Sequence, residues 1–356
     1  MSEPISFFLT GPTYVRQDVR QAMTRQPVAH RGAEFKALYE DLDARLPAIF
    51  RTSRPVYLAS SSSSLSWDIA VVSAVCKDVL CLTNGAFSER FLRVARSWGK
   101  EADQIAVPWG EPIDPELVRQ ALRRKKYEAV TLAHNETSTG VLSPLAEIAE
   151  VVREESDALI FVDAVSSLAG CQVETEQWGI DFLFTGAQKA LALPPGLAFI
   201  TVSERLLEKA KTIRHRGYYT DILEYDKKHR ASGPITTPAM SQIWALDKQL
   251  ERLEAEGIEA RWQRHLDLRK LTEAWAAKRG FTYASKPSGA SPTVSCLRPP
   301  LGLKAPDLVK ALAERGFTVA GGYGAYKLET FRIGHMGEVQ SSDLERLFEA
   351  IDDVLP

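Results

Sequence analysis

The sequence predicts an α/β fold built on a largely parallel sheet. Two observations carry this expectation. Short apolar runs alternate with helical patterns between residues 55 and 202, and several of the runs are apolar throughout rather than alternating. A strand that is apolar on both sides suits a sheet covered by helices on both faces. A chain of 356 residues can also divide into two domains, and the pattern changes after Ser203.

Residues 55–59 read as a strand, 60–64 as a polar turn and 65–77 as a helix. Strands follow at 78–83 and 104–107, with a helix over 87–100 between them. Asp114 before Pro115 predicts a helix start, an acidic cap followed by proline where no amide is missed. A strand over 129–133 ends in His134-Asn-Glu-Thr137, and Ser143-Pro144 repeats the cap device before a helix over 145–155. Strands at 158–162, 180–184 and 197–202 complete the series. A helix then runs to about residue 214, and residues 217–238 form a polar stretch with tyrosines, basic residues and prolines. Helices over 239–256 and 258–278 are punctuated by Gly257. Residues 281–356 read as a small α+β unit. Its strands lie near 291–297, 317–320 and 328–334, with a helix over 305–315 and a last helix opened by a Ser342–Glu345 capping box. The expected division is an N-terminal arm over 1–14, a large domain over 15–257 and a small C-terminal domain over 258–356.

Lys and Arg number 44 against 46 Asp and Glu, leaving a net charge of -2. That balance argues against nucleic acid or an acidic membrane as a partner. Cys76, Cys81, Cys171 and Cys296 form no Cys-x-x-Cys pair, so a reducing, cytoplasmic compartment is expected. Six histidines spread along the chain make a metal site unexpected. The first ten residues lack a basic segment followed by a long apolar stretch. No window reaches 18 uncharged apolar residues, so neither secretion nor membrane spanning is expected.

Parallel sheets bind ligands outside the C-terminal ends of their strands. Ser60 to Ser64 lie between such a strand and a helix, where exposed amides and hydroxyls suit a phosphate; a flexible serine linker is the bland alternative. Neither the dinucleotide fingerprint nor a Gly-rich loop ending in Lys-Ser or Lys-Thr is present. Phe87 follows the next strand and can stack on a planar group or simply fill the core. His134 reads as a hydrogen-bonded structural residue. Asp163 ends an otherwise apolar strand, a costly place for an unpartnered carboxylate, although it could instead cap a helix. Lys189 sits between Gly186 and the run from Leu191 to Pro195, an unusual setting for a solvated surface lysine. A lysine and an acid at two strand ends are the pair that pyridoxal phosphate requires, one to bond the cofactor and one to hold its pyridine nitrogen protonated. Arg332 interrupts a strand with a bidentate fork that suits an α-carboxylate or an interstrand salt bridge.

In order and spacing, these residues resemble the class V aminotransferases, in the branch of alanine–glyoxylate and serine–pyruvate aminotransferases. The likeness runs through Leu9-Thr-Gly-Pro12, His30-Arg31-Gly-Ala-Glu-Phe35, His134-Asn-Glu-Thr-Ser-Thr-Gly-Val141 and Val162-Asp-Ala-Val-Ser-Ser167. It continues in Gln188-Lys-Ala, Pro194-Pro-Gly196, Thr237-Pro-Ala and Phe331-Arg-Ile-Gly-His-Met-Gly337. The resemblance implies the type I pyridoxal-phosphate fold, with a seven-stranded mostly parallel sheet and a small α+β C-terminal domain. It implies Lys189 as the cofactor-bonding lysine and Asp163 as the acid facing the ring nitrogen. Phe87 would stack on the ring, and Thr137 would stand near the phenolic oxygen. Ser62, Ser63, Ser64 and Gln188 fall at phosphate positions, and Thr237 at a phosphate contact from the other subunit of a homodimer. Arg332 would hold the substrate carboxylate. Small amino acids and 2-oxo acids are the implied substrates, by ping-pong transamination.

The sequence departs from the family at three places. The phosphate turn reads Ser-Ser-Ser-Ser where relatives carry glycines, so a different backbone path is expected. Pro234 stands where some relatives supply a tyrosine. Tyr218, Tyr219 and Arg230 lie in an unfamiliar stretch and are candidates to line a neighbouring site's entrance. Rival readings on the same fold are a phosphonate aminotransferase, a lyase, a cysteine desulfurase using Cys296, and a catalytically silent homologue. The intact Lys189, Asp163 and Arg332 argue against the last.

Overall fold

The computed structural model describes residues 4–355. Residues 1–3 of the expected arm, and residue 356, lie outside that range. Seven strands form the large sheet: Tyr57–Ala59, Asp78–Thr83, Glu101–Ala106, Ala129–Ala133, Leu159–Asp163, Phe182–Gly186 and Ala198–Val202. The five strands from Asp78–Thr83 to Phe182–Gly186 pair in parallel, and Ala198–Val202 runs antiparallel to both its neighbours.

Alternate residues of these strands enter opposite cores, because side chains of a strand point to opposite faces. Leu80, Val130, Ile160 and Leu183 join one cluster. Val79, Ala129, Phe161 and Phe182 join the other. The edge strand Glu101–Ala106 is largely exposed and carries charge, which blunts the sheet edge against further pairing.

A five-stranded sheet forms the second unit, in the order Phe7–Phe8, Thr318–Gly321, Phe331–Gly334, Val294–Arg298, Thr282–Tyr283. The N-terminal strand pairs parallel with Thr318–Gly321, Phe7 standing opposite Thr318. Behind this sheet Trp275 stacks on Phe348 with ring centroids 4.4 Å apart.

Local signals held in some places and slid in others. Asp114 caps the helix Pro115–Arg124, its side chain accepting from the Glu116 amide. Ser143 does not cap the helix Leu145–Glu155. Its hydroxyl is drawn away to accept from the Asn84 side chain at 3.2 Å and the Ile113 amide at 3.4 Å. The last helix, Ser341–Asp352, is opened by Gln340 and Asp343 rather than Ser342 and Glu345. The polar stretch 217–238 contains the helix Ile222–His229, capped by Asp221.

The two units meet over Glu338, whose carboxylate accepts from Arg16, Gln249, Arg252 and Arg261. Arg261 is 1% exposed and also donates to the Ala190 carbonyl at 2.7 Å, next to Lys189. Burial pushes the Glu338 carboxyl up, but Arg261, Gln249, Arg252 and Arg264 outweigh it and hold it at about 2. A depressed carboxyl stabilises the fold above its unfolded pKa of about 4.3 and loses that stabilisation as pH falls toward the folded value. Glu338→Gln is therefore expected to lower stability at pH 7 by about 3–5 kcal/mol, the usual cost of breaking a buried ion pair. It should also flatten the stability decline between about pH 4.5 and 2. Urea melts of both proteins at pH 7 and pH 3 measure this, and equal midpoints at pH 7 would exclude the role.

Candidate active site

Sheet geometry brings the sequence candidates together. Asp163 ends its strand, and Lys189 follows the neighbouring strand Phe182–Gly186 by three residues. Both line a cavity of about 350 Å³ with Ser62, Ser63, Ser64, Phe87, Thr137 and Gln188. Its mouth lies at the C-terminal ends of the parallel strands, as a crossover topology requires.

Each acid–base group is held by its surroundings. Asp163 accepts from Trp67 Nε1 at 3.0 Å and from the Val165 amide at 2.9 Å. Burial pushes its carboxyl up to about 6, those two donors and Lys189 work the other way, and Glu136 adds to the rise. Lys189 is buried, and burial pushes its amine down to about 8, with Arg332 adding to the fall. Its Nζ donates to the Thr10 carbonyl. A Cβ on Gly11 would stand 2.5 Å from the Lys189 side chain, and Gly11 has φ of +116°, so only glycine lets the N-terminal arm pass there.

The serine turn takes a path with no left-handed residue between Ser60 and Ser64. The Ser60 hydroxyl accepts from the Ala239 amide at 2.8 Å, and its carbonyl accepts from Tyr219 at 3.1 Å. The helix Leu65–Ala74 opens at Ser64 with no side-chain cap; its Leu65 and Ser66 amides donate to the Ser62 and Ser63 carbonyls at 3.1 and 3.0 Å. Thr137 bonds Ser166 at 2.5 Å. Asn135 donates to the Ser166 carbonyl and Thr293, while its Oδ1 is buried without a partner.

Two candidates fall outside the cavity lining. Arg332 places Nε on the Gly321 carbonyl and Nη1 on the Thr137 carbonyl, at 3.0 and 3.1 Å. These bonds leave Nη2 for a ligand. Thr237 is exposed and within 3.5 Å of His30 Nε2, away from this chain's own cavity. Tyr218 donates to the Ile235 carbonyl and Arg230 is paired with Asp226, so neither faces the cavity of its own chain. Cys296 is fully buried inside a strand, its thiol pushed up by burial, which removes the mobile nucleophile a desulfurase needs. His134, expected to be hydrogen-bonded, has no side-chain partner among the described residues and packs edge-on against Trp178. No group of three or more His, Cys, Asp or Glu placed to hold a metal occurs among the described residues.

Sequence reasoning missed Trp67, Arg90, Glu136 and Tyr323. Trp67 and Arg90 sit on helices that the topology, not the local pattern, turns toward the cavity. Tyr323 stacks on Phe87 at 5.5 Å and accepts from Arg90 at 3.0 Å. Glu136 is completely buried and accepts from the amides of Phe87 and Ser88 and from both Ser88 and Ser138 hydroxyls. It thereby fixes the start of the helix Ala86–Ser97 that carries Phe87. A glutamate inside the His134–Thr137 run was the one available signal.

The residues fit pyridoxal phosphate. A buried primary amine and a buried carboxylate share one cavity, and the hydroxyls of Ser62, Ser63 and Ser64 with the Gln188 amide line it as donors for a phosphate.

Residues 79–340 match the family described as aminotransferase class-V. The chain is 37% identical over 337 residues to an uncharacterized aminotransferase of Methanocaldococcus jannaschii, covering 92% of this chain and 87% of that one. It is 32% identical over 362 residues to a soluble hydrogenase small subunit of Synechococcus sp., covering 100% and 94%. The crystal structure of an alanine–glyoxylate aminotransferase from Nostoc sp. superposes with a TM-score of 0.94 at 27% identity, covering 100% of this chain and 96% of that chain.

Proposed function

Because the chain belongs to the class V aminotransferases, we propose that it transfers the amino group of alanine or serine to glyoxylate or pyruvate. Its cofactor is pyridoxal phosphate, and its reaction class is amino transfer between small amino and oxo acids. The finer choice of substrates is supported by relatives named alanine–glyoxylate, serine–glyoxylate and pyridoxamine–pyruvate aminotransferases. One observation carries it: about 350 Å³ must hold cofactor and substrate together, which favours a short donor side chain. Thr237 stands outside its own cavity and is assigned here to the partner's cofactor phosphate, which makes the working unit a homodimer.

The bound cofactor supplies a ring that accepts the electrons left when a proton departs from the substrate's α-carbon. Lys189 Nζ would take up and hold that proton; a base poised near pH 8 suits the task. Asp163 keeps the proton on the ring nitrogen. Ser62, Ser63, Ser64 and Gln188 would hold the phosphate, and Thr137 would serve the phenolic oxygen. Arg332 Nη2 takes the substrate's α-carboxylate.

Arg90 supports a second reading. It lines the cavity and would pair with the distal carboxylate of an acidic donor, and one relative is named an aspartate–glyoxylate aminotransferase. A half-reaction screen decides between them. Each amino acid is added to the cofactor-loaded enzyme and the loss of the cofactor's absorbance is followed. Fast conversion by alanine or serine supports the proposal, whereas conversion by aspartate or glutamate alone selects the second reading. Arg332→Ala is expected to cost about 2–5 kcal/mol in kcat/KM for the preferred donor, mostly through KM. An unchanged KM removes Arg332 from carboxylate binding.

A further inference from the structure

Asp163 is held by two groups that can do nothing but donate. The Val165 amide reaches one carboxyl oxygen at 2.9 Å, and the Trp67 indole reaches the other at 3.0 Å. A hydroxyl or an imidazole in that place could reverse its role when the acid takes up a proton. An indole N–H cannot. Its bond to Oδ2 is therefore strongest to the charged form, and a donor to the charged form favours that form.

The indole is fixed by the same pairing that fixes the acid. Trp67 is 4% exposed and belongs to the buried helix Leu65–Ala74, directly after the serine turn. Its ring stands at 90° to Phe184, with centroids 6.3 Å apart, and tilts against Phe91 at the same separation. Phe184 stands beside Asp163 in the next parallel strand, so the register that places the carboxylate also places the ring that orients its donor. From the helix Ala86–Ser97, the Arg90 guanidinium carbon lies over the indole, 5.6 Å from the ring centroid. Burial works most strongly against the charged form of Asp163 and Glu136 adds to it, while Val165, Trp67 and Lys189 favour that form. We propose that Trp67 is a positioning residue for amino transfer: its N–H fixes one oxygen of Asp163 and holds the group as a carboxylate, ready to pair with a protonated ring nitrogen. This role rests on the cofactor reading above.

Two measurements test it. Cofactor-free protein labelled with nitrogen-15 at the indoles carries seven tryptophan signals. One of them should move with a midpoint near pH 6, where Asp163 takes up its proton, and should stay still in Asp163→Asn. The second measurement is equilibrium binding of 4′-deoxypyridoxine phosphate, which has the ring nitrogen and the phosphate but no aldehyde for Lys189. Its affinity for the parent should rise through about pH 6. Trp67→Phe keeps a ring and removes only the donor. Its midpoint should move to about pH 7 or above, as the loss of a hydrogen bond to a charged group implies. A purely structural role would weaken binding at every pH and leave the midpoint in place. No titrating indole signal, an unchanged midpoint in Trp67→Phe, or the same displacement when Trp67→Phe is added to Asp163→Asn would each overturn the proposal. Failure of the parent to bind the analogue at any pH would overturn this role through the cofactor reading, and an indole signal that still titrates would mark that as the cause.

Discussion

Lys189→Ala is expected to lower turnover by at least ~10²–10⁴-fold, the range that a placed general acid–base contributes. It also removes the covalent anchor of the cofactor, so the loss should sit at the upper end. The fold should survive, because among the described residues the Lys189 amine hydrogen-bonds only to the Thr10 carbonyl. Stability should even rise near neutral pH. Burial holds the folded pKa at about 8, below the ordinary lysine value of about 10.4. The unfolded chain therefore binds more protons across that interval, and the stability of the cofactor-free protein climbs with pH from about 8 toward 10. Removing the amine should abolish that climb. Thermal melts of both cofactor-free proteins at pH 7 and 9.5, beside a single-turnover assay, measure each part. Parental turnover in the variant would defeat the mechanism, and an unchanged pH slope would defeat the electrostatic account.

Asp163→Asn is the second large effect. Replacing a buried carboxylate opposite a protonated ring nitrogen costs about 2–5 kcal/mol, a factor of roughly 30 to several thousand in rate. Asparagine cannot restore the arrangement, since Asp163 uses one oxygen for Trp67 and the other for Val165, both donors. An amide must turn its own NH₂ toward one of them. Cofactor affinity gives a readout separate from rate. The carboxyl of the cofactor-free protein is raised to about 6, chiefly by burial. Cofactor binding to the parent should therefore strengthen as pH rises through about 6, where the carboxylate forms, and the asparagine variant should lack that dependence. Equilibrium binding at pH 5 and pH 7.5 distinguishes them; a parallel pH dependence in both proteins would remove Asp163 from the ring nitrogen.

What the sequence disclosed depended on whether the cause was local. The strand Asp78–Thr83 was read to the residue because an apolar run sits between a lysine and an Asn-Gly turn. Lys189 and Asp163 were legible because each breaks an apolar pattern at a strand end. Ser143 was misread because a serine before proline signals a cap locally, whereas Asn84 and the Ile113 amide arrive from distant parts of the chain. The helices Gln17–Ala22 and Ala33–Phe50 were left unread, the second with Pro47 inside it. The antiparallel setting of Ala198–Val202 leaves no mark in its composition. Trp67 and Arg90 reach the cavity from two helices and Tyr323 backs Phe87 from a third element, and only the assembled sheet and the loop near residue 323 bring them together.

The strand Phe7–Phe8 sets a condition on how this molecule is made. It pairs with residues more than 300 positions later, and Ile5 is clasped by Asp343 and Arg346 near the other end of the chain. Thr10, which receives the Lys189 amine, follows that strand by two residues. During synthesis Phe7–Phe8 must wait, unpaired, until residues beyond 319 have left the ribosome. Contacts of such long sequence separation form late, and domains assemble in the order they emerge. The large sheet can close while the lysine still lacks its carbonyl partner, which the docked arm then supplies. A chain that ends early leaves that segment unpaired and the lysine without its partner.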